Sequence, residues 1–292
     1  MTVHLKNIVV WLFALAAVLV QSCDKIDNPV IEVIPTIDTT EIDVPEFLPM
    51  TSAIPRVLVE DFTAHQCGNC PPAGIQLSTL VNAHPDSVVP LAIHAGNLAA
   101  TNKAFPIDWT CQEGNVFWGD LSLQLNPIGR VNRVNTEFGQ ELLPNQWAVW
   151  VNEELNRTAA AGIQMIIDAD APENELVIHA HVTWLSEVIG QVSLALLVAE
   201  NHISGPQLWY QSADPPGPGL VEDFDHNHVL RGSITGAYGL VIANNPTAGD
   251  THQVGYNYTW NDNWAMENAE IVAVLTDDQG TIIQTAALPI LP

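Results

Sequence analysis

Four consecutive residues, Cys67-Gly68-Asn69-Cys70, carry the most reactive pattern in the chain. Two thiols at this spacing can close on each other as a disulfide or exchange with another pair, the thiolate being the nucleophile. The stretch ahead of them, Val57-Leu58-Val59 through Phe62, is apolar and β-branched and reads as a buried strand. After them, Ala73, Leu77, Leu80 and Val81 recur at helical spacing. A cysteine at the start of such a helix faces the positive end of its dipole, which lowers the thiol pKa, so Cys67 is the candidate nucleophile and Cys70 the resolving thiol. Two other uses of the pair stay open. A static disulfide suits an oxidising compartment, and half of a zinc site, with His65, would need a second ligand pair that the sequence lacks.

The elements that must position this dithiol begin with an export signal. Lys6 precedes thirteen apolar residues, Ile8 to Val20, too few to span a bilayer comfortably. The segment closes as Val20-Gln21-Ser22-Cys23, which resembles the lipobox of bacterial lipoproteins and implies lipidation of Cys23 after cleavage. Acyl chains on Cys23 give a non-spanning membrane anchor. Residues 24–53, rich in Asp, Glu, Pro and Thr, read as an acidic tether. With 33 acids against 8 Lys plus Arg, the net charge is −25, which argues against nucleic acid as a partner. Of four cysteines, Cys111 is left over, either a small buried hydrophobe or an accessory thiol.

The remaining chain is expected to form two domains, 54–157 and 158–292, because helical and strand patterns alternate before Arg157 and period two dominates after it. In the first, Ser87 to Ile93 reads as a strand in which Pro90 is an objection to a central position. Asn97 to Ile107 is expected as a loop near the dithiol, Asp108 to Leu123 as a weak helix, and Pro144 as the opening of a helix with Ala148, Val151 and Leu155 on one face. Arg130 and Arg133 stand out among so few bases, as binders of a substrate carboxylate or as partners of local acids.

An Asp-Phe pair six and five residues before the first cysteine resembles the thioredoxin-like superfamily, and Asp61 and Phe62 occupy those places. The resemblance implies that Asp61 takes the proton of Cys70, that Pro127 is a cis-proline facing the dithiol, and that Asn126 presents its backbone to substrate. With the lipoprotein signal, VLVEDFTAHQCGNCPPA, NPIGRVNR and HNHVLRG are together similar to the Omp-twenty-eight-related outer-membrane lipoprotein family of Bacteroidetes-type bacteria. The family implies an outer-membrane location and a thioredoxin-like domain ahead of a β-rich one. Exchange with thiols or disulfides of exported proteins, without a cofactor, is the activity expected. A surface binding or assembly role, with Cys67 and Cys70 as a permanent staple, is the alternative.

The second domain reads as an antiparallel, immunoglobulin-like β-sandwich. Leu176, Ile178, Ala180, Val182 and Trp184 form its core face, opposite the solvent-facing His179 and His181. Gln191 to Ala199 is expected as a central strand, and Ile271 to Ala286 as a terminal hairpin. The acidic loop around Asp225, His226 and His228 suggests a metal only weakly, and no metal site is assigned.

Overall fold

The computed structural model describes residues 45–169 and 174–291. The signal, Cys23 and residues 24–44 of the tether lie outside the described residues. The α/β portion opens with strand β1 (Val57–Thr63), whose first six residues are all buried. Helix α1 (Cys70–Ala83) starts on Pro71 and Pro72, which suit a first turn that has no use for their missing amides. Strand β2 (Val88–His94) runs parallel to β1, then come α2 (Gln112–Asp120), β3 (Ile128–Val131) and α3 (Pro144–Leu155).

The remaining elements are strands: β4 (Ala161–Asp168), β5 (Glu175–Trp184), β6 (Gln191–Glu200), β7 (Ile203–Trp209) and β8 (Gly219–His226). They continue as β9 (Val229–Ser233), β10 (Leu240–Asn244), β11 (Thr251–Thr259), β12 (Ala269–Thr276) and β13 (Ile282–Pro289). Thus the change of texture near Arg157 is a change from mixed helix and strand to strand. It is not a break in the sheet, because one sheet runs β13-β12-β6-β9-β2-β1-β3, with β10 added on β6. Strands β4, β5 and β11 form a second sheet, and β7 with β8 a separate ribbon.

Three apolar layers follow from the alternation of side chains along these strands. One face of β1 and β2 packs on α1 and α3 through Val57, Val59, Leu77, Trp147 and Val151. The other face, with Leu58, Phe62 and Leu91, shares a core with α2 and with Leu197 and Val272 of β6 and β12. The reverse face of β6 and β12 then packs on Ile178 and Trp184 of the second sheet. The architecture is therefore an α/β part joined to packed β-sheets, with strand outweighing helix.

Several local expectations need correction. Pro90 sits inside the sheet, between β1 and β9, without cost to the β1–β2 ladder. The Ala92 amide donates outward to His228 O, and Pro90, two residues earlier, faces that same side, where β9 pairs only at Ala92. Helix α2 begins later than Asp108, because the Cys111 sulfur caps it by accepting from the Gly114 amide at 3.4 Å. Trp147, not Ala148, leads the buried face of α3. The His179 and His181 face is covered as well: Phe47 stacks on His181 at 4.9 Å, and His179 is buried. The end of the expected tether, around Pro45 and Phe47, thus lies against β5 and β11.

Candidate functional site

Strand β1 delivers the chain to the dithiol through two tight turns. The Cys67 amide donates to Ala64 O at 3.0 Å and the Cys70 amide to Cys67 O at 3.1 Å. Cys67 and Cys70 are joined as a disulfide with Cα atoms 5.3 Å apart. Helix α1 begins at Cys70, so Cys67 stands one turn ahead of it rather than in its first turn. Both cysteines are 3% exposed and share a small cluster with Ala64 and Ala99.

Two segments enclose the pair. On one side lies the expected loop after Asn97, where the Gln66 amide donates to Leu98 O at 3.2 Å and Asn102 Nδ2 donates to Gln66 Oε1 at 2.9 Å. On the other side lies β7, with the Leu208 amide on His65 O at 2.8 Å and the Tyr210 amide on Gly68 O at 2.9 Å. Gln207 Nε2 reaches Cys67 O at 3.0 Å. The Tyr210 ring is seated so closely on Gly68 that a Cβ there would run into it. Sequence reasoning missed Gln207, and no local signal marks it, because its contacts lie 140 residues away in sequence.

The two carboxylates at the end of β1 face opposite sides of the sheet. Glu60 meets Arg130 Nε at 2.7 Å and Arg133 Nη2 at 2.7 Å, and both arginines are 3% exposed. Burial pushes the Glu60 carboxyl up, but the two guanidiniums outweigh it and hold the group below its usual range. Arg130 and Arg133 are thereby committed inside the protein, near the Phe62 and Phe117 rings, so that of their two expected uses the structure shows the pairing with a local acid rather than a site open to a substrate carboxylate. Asp61 is 3% exposed and its Oδ1 has no hydrogen-bond partner. Burial alone raises its pKa from 3.8 to about 7.

Asp61 and Cys70 line one cleft of about 170 Å³, together with Thr63, His94, Gln207 and His226. The Asn126-Pro127 peptide is cis, and the Asn126 side chain donates to Phe62 O at 3.1 Å, which fixes this turn to the end of β1. Histidines gather beside the cleft, His94 and His226 among its lining. His94 lies 5.5 Å from His226 and 6.3 Å from His65 between ring centroids, and Trp109 stands 4.1 Å from His226. Burial, reinforced by the neighbouring imidazoles, holds His94 well below its usual range, and burial brings His226 down to about 4. These rings are neutral near pH 7. The hint in the sequence was slight: His94 is the polar end of an otherwise apolar strand.

The acidic loop disperses. His226 turns inward, Asp225 pairs with His202 at 3.2 Å, and His228 Nδ1 lies 3.6 Å from Glu270 Oε1. No group of three His, Cys, Asp or Glu side chains among the described residues is arranged to hold a metal ion. Cys111 lies away from the pair as the cap of α2, and burial raises its thiol to about 12, which leaves little thiolate for exchange. No helix among the described residues is long and apolar enough to cross a membrane.

HBP35 of Porphyromonas gingivalis is similar in fold, with a TM-score of 0.59 and 15% identity over 82% of this chain and 77% of that one. Protein AGR_C_4864 from Agrobacterium tumefaciens superposes with a TM-score of 0.51 and 12% identity, covering 82% of this chain and 96% of its own. A domain of the outer membrane lipoprotein Omp28 from Porphyromonas gingivalis is 17% identical over 45% of this chain and 88% of that domain, with a TM-score of 0.31. No curated protein matches the chain. Residues 120–289, more than half of the sequence, match the family model described as outer membrane protein Omp28. By that match the chain belongs to the Omp28 family of outer membrane proteins.

Proposed function

We propose that this protein is an outer-membrane lipoprotein, held through Cys23, that exchanges disulfides with exported proteins at Cys67 and Cys70. The strand arrangement β2-β1-β3 with α1 and α3 on one face supports a thioredoxin-like domain over 54–157. The packed sheets after it support an immunoglobulin-like sandwich over 158–292. The observation that carries the activity is Asp61, an unpartnered buried carboxyl with a pKa near 7 on the same cleft as Cys70. Burying such a group without a partner costs stability whatever it does, and a cleft carboxyl with so perturbed a pKa is a candidate for proton transfer near neutrality.

From the disulfide state, a thiolate of the exported polypeptide attacks Cys67 Sγ and the Cys67–Cys70 bond breaks. Cys70 leaves as a thiolate and takes the proton of Asp61. A second thiolate of the polypeptide attacks its own sulfur in the mixed disulfide and expels Cys67 as a thiolate. The polypeptide loses two electrons and the protein gains them. In reverse, Cys67 attacks a polypeptide disulfide, Asp61 deprotonates Cys70, and Cys70 resolves the intermediate.

A second reading has its own support. With both cysteines 3% exposed beneath β7, the disulfide suits a permanent staple in a surface binding module. Titration of the mature chain in glutathione buffers, read by alkylation and mass, separates the two. Exchange requires a midpoint between about −120 and −270 mV. A pair still oxidised below about −300 mV is a staple.

A further inference from the structure

The ribbon of β7 and β8 is the least integrated element near the dithiol. It is hydrogen-bonded to neither of the larger sheets. A lone two-stranded ribbon is marginal by itself, so its attachments decide whether it stays down. Its base is anchored, with Gly205 against Trp109, where a Cβ would come within 2.6 Å of the ring, and His226 tilted against that same ring at 4.1 Å between centroids. Its tip, residues 207–210, rests on the backbone of the dithiol turn. Leu208 and Tyr210 donate their amides to His65 O and Gly68 O, and the Gln207 side chain donates to Cys67 O. An extended strand therefore already occupies the approach to Cys67, and the group directed at the nucleophile's own peptide unit is the side chain at position 207.

We propose that Gln207 and Tyr210 determine which thiols reach the dithiol, by holding a strand that only another extended polypeptide, making the same amide contacts with His65 and Gly68, displaces readily. This inference rests on the exchange activity proposed above. A small thiol forms no backbone contacts in exchange for those it must break, so it meets the ribbon closed. A polypeptide replaces each contact as it enters, which is strand-for-strand recognition along an open backbone edge. The side chain of its cysteine then stands where that of Gln207 stands, against Cys67. Its thiolate attacks Cys67 Sγ, the Cys67–Cys70 bond breaks, and Cys70 departs as a thiolate that is protonated by Asp61. The product is a mixed disulfide.

The test uses the mature chain and two thiol probes, dithiothreitol and the peptide Cys-Leu-Trp-Tyr, whose cysteine replaces Gln207 in the strand 207–210. A twin peptide, N-methylated at the leucine and tyrosine amides, cannot make the two backbone hydrogen bonds. Attack on Cys67 by the parent peptide is expected to be at least about tenfold faster than by the twin, two hydrogen bonds being lost. The double variant Gln207→Ala, Tyr210→Ala is expected to react with dithiothreitol about tenfold faster than the unaltered chain. Equal rates for the two peptides, or an unchanged dithiothreitol rate in a folded variant, overturn the proposal while leaving exchange intact. If circular dichroism shows the variant unfolded, the peptide pair on the unaltered chain decides alone. A disulfide that no probe opens until the protein is denatured overturns both the proposal and the exchange reading.

Discussion

Glu60 and Asp61 are adjacent on β1, almost equally buried at 1% and 3% exposure, and opposite in fate. One face of the strand supplies two guanidiniums, and the Glu60 carboxylate is held ionised. The other supplies apolar helix surface and a cleft, and the Asp61 carboxyl is driven toward its neutral form. Depth of burial is thus a poor guide to charge; the partner within reach decides. The paired face reads as structure, since every charge there is used. The unpaired face retains a carboxyl without a counter-charge, on the same cleft as Cys70.

The largest effect should come from breaking the paired side. Glu60→Gln leaves two buried guanidiniums without a counter-charge and is expected to lower unfolding free energy by about 3–5 kcal/mol, read as a fall in the urea midpoint. The unpaired side should respond in the opposite sense. Because the folded protein holds the Asp61 proton up to about pH 7 and the unfolded chain releases it near 3.8, ionisation favours unfolding, and stability falls as pH rises between those values. Asp61→Asn is therefore expected to stabilise the oxidised protein by about 2–4 kcal/mol at pH 8, with the gain gone below about pH 4. Urea melts at the two pH values check this, and a gain independent of pH would mean that the carboxyl is not neutral when folded. The same variant should also remove the step near pH 7 from the rate of disulfide exchange.

A third carboxylate sharpens the contrast from the surface. Asp225 pairs with His202, but their side chains are 58% and 66% exposed. Solvent screens such a pair, so Asp225→Asn should change stability by less than about 1 kcal/mol, within the range of exposed ion pairs. A thermal melt showing a larger loss would give the β8–β9 turn a structural weight that its contacts do not explain.

Much of this arrangement could be read from the chain alone. Strand β1, the helix after Cys70, strand β2, and the hairpin of β12 and β13 follow from apolar periodicity and turn residues, which are local properties. The acidic residue six positions before Cys67 and the proline at 127 were legible only through the resemblance of their surroundings to the thioredoxin-like superfamily, which implied a place for each. The partners of Arg130 and Arg133 were not, since nothing local says which acid faces them, and β3 must lie antiparallel to β1 before Glu60 comes within reach.

The sequence by itself determined the dithiol, its strand and helix, and the charge that argues against nucleic acid, because each depends on residues close together in the chain. Only the tertiary structure decided that β7 covers the dithiol, that β6 and β12 share a sheet and a core with β1 and β2, and that His65, His94 and His226 gather beside the disulfide. Those contacts join residues tens to more than a hundred positions apart. They exist because the buried faces of β1, β2, β6 and β12 must all be covered at once, a demand that no single segment expresses.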